Sequence, residues 1–232
     1  MHIIAHIEND LPQKFGIPRQ SGLVDELIST IVFEEEYRNM DALRGLEDFD
    51  YIWIIWEFEE ISNNSSFSPT VRPPRLGGNT RMGVFATRSP NRPNPIGLSC
   101  VKILDITDSN RGPIIRVSGA DLRNQTKIYD IKPYLPYTDA HPDAASGFAG
   151  EVYGDKLEVI FNDDLLKLLP IQKQKAAIEL LKQDPRPSYH TDQNRVYGMC
   201  FADKNIKFKV NGNLLTVVDV SPLAPQDPDS AK

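Results

Sequence analysis

The run YIWIIWEF occupies residues 51–58 and is apolar at almost every position. In an extended strand, successive side chains point to opposite faces. One face would then carry Ile52, Ile54, Trp56 and Phe58, and the other Trp53, Ile55 and Glu57. Because both faces are largely apolar, we predict a central β-strand that is covered on both sides. The run is far shorter than the roughly 20 apolar residues that a membrane-spanning helix needs.

Other segments before residue 135 also have the composition of strands, notably 2–7, 27–33, 100–106 and 114–117. The first of them is short, and we expect it to be an edge strand. No long helical pattern lies among them, and no GxGxxG motif opens a helix after a strand, so nothing supports a Rossmann fold. We therefore predict a mainly β fold whose N-terminal domain is a closed or nearly closed barrel.

The last third of the chain alternates between strand and helix patterns. A strand is predicted at 157–161, and a helix begins near Asp163, is interrupted by Pro170 and continues to about residue 182. Strand patterns then follow at 195–201, 206–210 and 214–220, with a hairpin turn at Asn211-Gly212. We predict three regions: a barrel domain at 1–156, a small α/β domain at 157–221 and a disordered tail at 222–232.

Composition limits the classes of function. The chain has 232 residues, 40% of them hydrophobic, and a net charge of −6, as expected for a globular protein that does not bind nucleic acid indiscriminately. The two cysteines and four histidines are scattered, so we expect no metal site. No secretory signal or membrane span is recognised, and a cytoplasmic location is the simplest expectation.

The segment from Ile61 to Leu104 contains no acidic residue and carries five arginines and one lysine. We call it the arginine window. Six of the chain's 18 prolines lie in its central part, residues 66–99, and stiffen the backbone. Fixed guanidinium groups favour phosphate and carboxylate ligands, which they bind through paired hydrogen bonds. The window is therefore a candidate anion-binding surface, although it could also be a plain connector whose arginines pair with surface carboxylates.

Several runs in this chain resemble the TsaA/TrmO family, and the resemblance covers nearly the whole sequence. These runs are PRQSGLVDELIST (18–30), LRGLEDFDYIWIIWEF (43–58), PTVRPPRLGGNTRMGVFATRSPNRPNPIGLS (69–99), YDIKPYLPY (129–137), QDPRPSY (183–189) and RVYGM (195–199). The resemblance implies an S-adenosylmethionine-dependent tRNA methyltransferase with a β-barrel catalytic domain. It implies methylation of N6 of threonylcarbamoyladenosine at tRNA position 37 in threonine tRNA, by a homodimer whose partner helps to close the pocket.

The resemblance also suggests residues for the cofactor pocket. We expect S-adenosylmethionine to be surrounded by Pro18, Arg19, Gln20, Glu59, Glu60, Arg88, Leu98, Ala120, Asp121 and Leu122. Two positions depart from the family pattern. Glu59-Glu60 stands where relatives tend to have a polar or histidine-containing pair. The sequence Asn124-Gln125-Thr126-Lys127 replaces an Asp-Gly-Thr-Pro-like turn, which leaves the form of that turn open.

Substrate and proton transfer need further residues. We expect Arg72, Arg75 and Arg92 to meet tRNA phosphates or the threonyl carboxylate. Loss of the N6 proton calls for a general base, for which Asp130 and Tyr134 are the candidates.

Two other functions stay open at this point. One is a β-barrel adaptor that binds RNA or a nucleotide without chemistry. The other is a hydrolase of a phosphorylated small molecule, although no paired carboxylates, metal cluster or nucleophile motif supports it.

Overall fold

The computed structural model describes residues 1–58, 67–73, 76, 79–151, 156–187 and 192–223. Its strands are β1 (Ala5–Glu8), β2 (Ile28–Phe33), β3 (Tyr51–Glu57), β4 (Thr70–Val71), β5 (Met82–Gly83), β6 (Ile96–Ser109), β7 (Gly112–Ser118), β8 (Lys127–Pro133), β9 (Glu158–Ile160), β10 (Tyr197–Phe201), β11 (Lys204–Asn211) and β12 (Leu214–Pro222). Its α-helices are α1 (Pro136–Asp139), α2 (Phe148–Glu151), α3 (Asp163–Leu166) and α4 (Ile171–Lys182). Short 3-10 turns connect several of these elements.

Six antiparallel strands form a closed barrel in the order β1-β2-β7-β6-β3-β8, and β8 returns to β1. The predicted mainly β fold with a barrel is confirmed. The expectation that the first strand is an edge was wrong, because Ala5 pairs with Phe33 of β2 on one side and with Ile128 of β8 on the other. A short strand can close a barrel where its two neighbours supply partners along both of its edges.

The strand β3 faces the barrel interior with Ile52, Ile54 and Trp56, all of which are buried. Its outer face is covered only in part. Trp53 and Ile55 are half-buried, and Trp53 donates a hydrogen bond from Nε1 to Asp139 Oδ2 at 2.9 Å. The predicted central position is therefore right, since β3 pairs with both β6 and β8. Complete cover on both faces is not observed in the single chain.

The C-terminal part is a four-stranded sheet in the order β10-β11-β12-β9, with β9 parallel to β12 and α4 packed near β9. Pro170 precedes α4, as predicted, because a proline fits immediately before or at the start of a helix. The predicted hairpin at Asn211-Gly212 joins β11 to β12. Strand β12 ends at Pro222, one residue into the predicted tail, and residues 224–232 lie outside the described residues.

The chain has two apolar cores. The first fills the barrel. The second lies under the C-terminal sheet but includes Leu11, Val24 and Leu27 from the long N-terminal loop. Phe15 of the same loop stacks at 6.5 Å on Tyr197 and at 6.5 Å on Phe208. The loop that carries the Pro18-Arg19-Gln20 motif is thus held by the C-terminal sheet. The division at residue 156 stays a prediction.

Candidate active site

A buried chain of hydrogen bonds lies where β6 begins. Trp56 donates from Nε1 to Ser99 Oγ at 2.9 Å, and Ser99 donates from Oγ to Asp121 Oδ1 at 2.5 Å. The register places Trp56 beside Gly97, where a Cβ would lie 2.2 Å from the indole ring. Only glycine leaves room for the indole there. The three polar groups are therefore fixed by strand pairing and packing.

The loop after Arg19 lies against the strands that carry this hydrogen-bonded cluster. Ser21 Oγ accepts a hydrogen bond from the Cys100 amide at 3.1 Å, and Gly22 donates from its amide to the Gly119 carbonyl at 2.9 Å. Gly119 has φ of 78°, in the left-handed region that glycine tolerates best. These contacts bring the loop against the segment that carries Asp121.

Two side chains connect the loop with the carboxylate. Arg88 donates a hydrogen bond to the Gln20 side-chain oxygen, and its positive charge acts on Asp121. Burial raises the pKa of Asp121 above its ordinary value, while the Ser99 hydrogen bond and the charge of Arg88 oppose that rise. The site therefore holds a partly desolvated carboxylate beside an exposed guanidinium.

The predicted cofactor residues separate into groups. Gln20, Arg88 and Asp121 are brought together, and Leu98 lies one residue before Ser99 with 56% of its surface exposed. Ala120 and Leu122 are buried in the barrel core, so that only their backbone atoms are available to a ligand. Pro18 is buried as well. Glu59 and Glu60 lie outside the described residues.

Arg19 points toward the C-terminal part. Its Nη2 donates to the carbonyl oxygens of Asp184 at 3.4 Å and Arg186 at 3.3 Å. Arg186 in turn forms an ion pair with Asp184, with a shortest distance of 2.8 Å. Arg19 therefore connects the cofactor motif to the loop that follows α4, and its predicted contact with the cofactor stays a prediction.

The predicted substrate arginines differ in their surroundings. Arg72 is exposed and makes no hydrogen bond or ion pair with any residue that the structure describes. Arg92 donates to the carbonyl oxygens of Thr87 at 2.7 Å and Val84 at 3.4 Å, so part of its guanidinium braces the local turn. Arg75 lies outside the described residues.

Asp130 lies on β8 and Tyr134 directly follows that strand, and both are apart from the Asp121 cluster. Ile55 of β3 is opposite Leu98 on one side and Asp130 on the other, which separates the Leu98 and Asp130 backbones by two strand spacings, roughly 10 Å. The Asp130 carboxylate accepts from the Ile131 amide at 2.9 Å and lies 3.1 Å from Lys132 Nζ. Tyr134 packs on Trp53, with ring centroids 5.8 Å apart. Their roles stay predictions.

Sequence reasoning missed Ser21, Trp56 and Ser99 as parts of the site. For Ser99 a signal was present, because a hydroxyl stands at the inward position between Gly97 and Val101, where an apolar side chain is typical. For Trp56 none was available, since its role depends on the register between β3 and β6.

In the ranges that the structure describes, no three His, Cys, Asp or Glu side chains converge in a way that could hold a metal ion. None of the helices there has the length and apolar character needed to cross a bilayer.

Comparison with known families decides the relationship. The family described as tRNA-methyltransferase O N-terminal domain matches residues 6–140, and the TrmO C-terminal domain matches residues 155–223. The chain belongs to the TrmO family. The N-terminal match covers the barrel strands together with Gln20, Arg88, Ser99 and Asp121.

Two bacterial relatives and a solved structure of this family match this chain over more than 90% of their own length. The tRNA (adenine(37)-N6)-methyltransferase of Escherichia coli K12 is 38% identical over 215 residues, which are 89% of this chain and 91% of that protein. The protein of the same name from Eikenella corrodens is 42% identical over 170 residues, 73% of this chain and 95% of that protein. A crystal structure of TrmO from P. aeruginosa superposes with a TM-score of 0.77 at 28% identity and covers 96% of this chain and 97% of that one.

The side chains of Asp121, Arg88 and Leu98 suit the chemical groups of S-adenosylmethionine. That molecule has a sulfonium cation, an amino group, a carboxylate and an adenosine. Asp121 offers a carboxylate for the positive groups, Arg88 offers a guanidinium for the carboxylate, and Leu98 offers exposed apolar surface. The residues present therefore fit the group, and Gln20 has a side-chain amide that holds Arg88 in place.

Proposed function

We propose that this protein is an S-adenosylmethionine-dependent tRNA methyltransferase that methylates N6 of adenine at position 37. The observation that carries the proposal is the cluster of Gln20, Arg88, Ser99 and Asp121 at the start of β6, in a chain 38% identical to a tRNA (adenine(37)-N6)-methyltransferase over 89% of its length. When bound, S-adenosylmethionine supplies an electrophilic methyl group on sulfur. The adaptor without chemistry is not favoured, because the family relatives are named as methyltransferases.

The residues of the site contribute mainly by holding the reactants in a fixed orientation. Asp121 is held by Ser99, which is itself held by Trp56, so that the carboxylate has one orientation. Arg88 is held by Gln20. A site fixed in this way holds two reactants in line without further ordering, which can lower a barrier by about 7–11 kcal/mol. Pro18, Arg19, Leu98, Ala120 and Leu122, with Glu59 and Glu60, complete the proposed pocket.

We further propose that the adenine carries a threonylcarbamoyl group and that threonine tRNA is the substrate. Such a group adds a carboxylate, which suits the cationic side chains of the arginine window. Arg72, Arg75 and Arg92 are assigned to that carboxylate or to tRNA phosphates. Asp130 of β8 is assigned as the base that removes the N6 proton, and Tyr134, which directly follows that strand, is the second candidate.

A homodimer in the cytoplasm is the proposed working form. Its support is the outer face of β3 and β6, where Trp53 and Ile55 are only half-buried and Ile96 and Leu98 are exposed in the single chain. A second copy would cover this apolar surface. Cytoplasmic tRNA is the substrate pool that the proposed reaction requires.

The test is a methylation assay with isotopically labelled S-adenosylmethionine. Threonine tRNA with the threonylcarbamoyl group is the substrate, and the same tRNA with unmodified adenine at position 37 is the control. Digestion to nucleosides and mass spectrometry should locate the label on N6 of the modified adenosine. No label in tRNA under conditions where the protein is folded would contradict the proposed function.

A further inference from the structure

Two large aromatic side chains of the arginine window lie on the surface instead of in a core. Phe67 is 57% exposed and Phe85 is 71% exposed. Their rings are stacked, with centroids 6.3 Å apart and an interplanar angle of 26°. Two adjacent exposed phenylalanines form an apolar patch of the kind that marks a binding surface. We call this pair the aromatic platform.

The chain holds the platform through a short ribbon. Strands β4 and β5 pair antiparallel, with Thr70 opposite Gly83, which places the residues just before β4 next to those just after β5. The Val84 amide donates to the Pro69 carbonyl at 2.9 Å, and the Val84 side chain is buried. Val84, the residue before Phe85, is therefore fixed, while the Phe85 ring itself is exposed to solvent.

A guanidinium supports the platform from one side. The Arg92 Cζ atom lies 5.8 Å from the centre of the Phe85 ring, a distance at which a cation and an aromatic face attract. Arg92 is in turn fixed by its hydrogen bond to the Thr87 carbonyl at 2.7 Å. The Phe85 ring thus contacts Arg92 within the protein, and 71% of the surface of Phe85 stays accessible to a ligand.

The ribbon that holds the platform carries positive charge at its other end, where Arg72 follows β4 and Arg81 precedes β5. Arg72 and Arg81 are exposed, and neither makes an ion pair or hydrogen bond with a residue of the described ranges. No acidic residue occurs in the sequence from Ile61 to Leu104. Exposed aromatic rings and exposed guanidinium groups on one short ribbon are the combination by which proteins bind single-stranded nucleic acid, because bases stack on the rings and phosphates meet the cations.

We propose that Phe67 and Phe85 stack with an unpaired base of the tRNA anticodon loop, and that Arg72 and Arg81, which lie opposite one another at the other end of the ribbon, contact neighbouring phosphates of the same loop. This inference depends on the proposed function for its choice of RNA. It adds a base-stacking surface to the predicted phosphate contacts. It also assigns Arg81, which had no role in the proposed pocket.

The experiment measures the dissociation constant for threonine tRNA at several salt concentrations, with no methyl donor present. Phe85→Ala should weaken binding between about fivefold and 150-fold, the range for losing one stacked base, and leave the salt dependence unchanged. Phe85→Trp keeps a flat aromatic surface and is the matched control that should retain affinity. Arg72→Ala and Arg81→Ala should each lower the slope of log affinity against log salt by about 0.7–0.9.

Two outcomes would overturn the inference. Equal affinity of Phe85→Ala and the wild-type protein overturns it. A loss of affinity that appears only together with a smaller mass in sedimentation also overturns it, because Phe85 would then be a contact between two copies of the chain. A failure of the proposed function is seen separately, since a wild-type protein that binds tRNA with the platform but transfers no methyl group would contradict only the assigned reaction.

Discussion

Ser99 stands at an inward position of β6 that a barrel strand normally gives to an apolar side chain. It is fully buried, accepts a hydrogen bond from Trp56 and donates one to Asp121. A buried hydroxyl is tolerated because both of its bonds are made. The residue therefore links the packing of the barrel to the orientation of a carboxylate in the candidate site.

Replacing Ser99 tests that link. Ser99→Ala leaves the buried Trp56 N–H without its acceptor, and we expect a loss of about 1–3 kcal/mol in the free energy of unfolding, measured with urea. In a Trp56→Phe background the donor is already absent, so the same change should cost less. An equal cost in both backgrounds would show that the hydrogen bond does not contribute.

Asp121 gives a second prediction, on pH. Its pKa is raised in the folded state, chiefly by burial, so the folded protein binds that proton more tightly than the unfolded chain does. Stability from this group is greatest below the ordinary aspartate pKa and falls as pH rises through the raised value. Asp121→Asn should therefore raise the melting temperature at neutral pH, and the gain should shrink in acid. A lower melting temperature at neutral pH would contradict this.

A third prediction concerns the assigned base. Asp130→Asn keeps the shape of the side chain but cannot accept a proton from N6, so kcat for methyl transfer should fall steeply. Affinity for S-adenosylmethionine, measured by calorimetry, should stay nearly unchanged because Asp130 lies across β3 from Leu98. Activity equal to that of the wild type would eliminate Asp130 as the base.

Among the elements, the turn between Leu122 and β8 keeps its form despite an unfavourable residue. Gln125 has φ of 68°, a left-handed conformation that glycine adopts readily and other residues adopt at a cost. The turn is held by hydrogen bonds from the Gln125 amide to Ile7 at 2.7 Å and from the Asn124 amide to Leu11 at 2.8 Å. Gln125 therefore adopts the left-handed backbone conformation that suits the glycine of the family pattern.

The strain at Gln125 can be measured. Gln125→Gly removes the steric strain of a Cβ atom in the left-handed backbone region, but it also makes the unfolded chain more flexible. The net result should be a gain of up to about 1 kcal/mol in the free energy of unfolding. Gln125→Ala keeps the strain and serves as the control. If the glycine variant unfolds in less denaturant than the alanine variant, the conformation of Gln125 carries no strain.

Over the whole molecule, local pattern predicted the strands well and their closure less well. The nearly continuous apolar run at 51–58 indicated a central strand, and Asn211-Gly212 indicated the hairpin, because both signals are local. The closing role of β1 depends on pairing between Ala5 and Ile128, which no local pattern contains. The bond from Trp56 to Ser99 likewise depends on the register between two strands.

For the candidate site, the family resemblance suggested residues, but the sequence did not show how they are arranged. Gln20, Arg88 and Asp121 are far apart in sequence and meet in the structure. The turn of Arg19 toward residues 184–186 was not predictable, because it arises where the N-terminal loop packs on the C-terminal sheet.

The most direct test of the site is the melting temperature of the protein with S-adenosylmethionine or with ATP. A ligand that binds only the folded state raises the melting temperature, with about 2.7 kcal/mol of stabilisation at 100 times its dissociation constant. We predict a rise with S-adenosylmethionine, none with ATP, and a much smaller rise in Arg88→Ala. No shift of the wild-type protein with S-adenosylmethionine, or an equal shift with ATP, would contradict the assignment of this site.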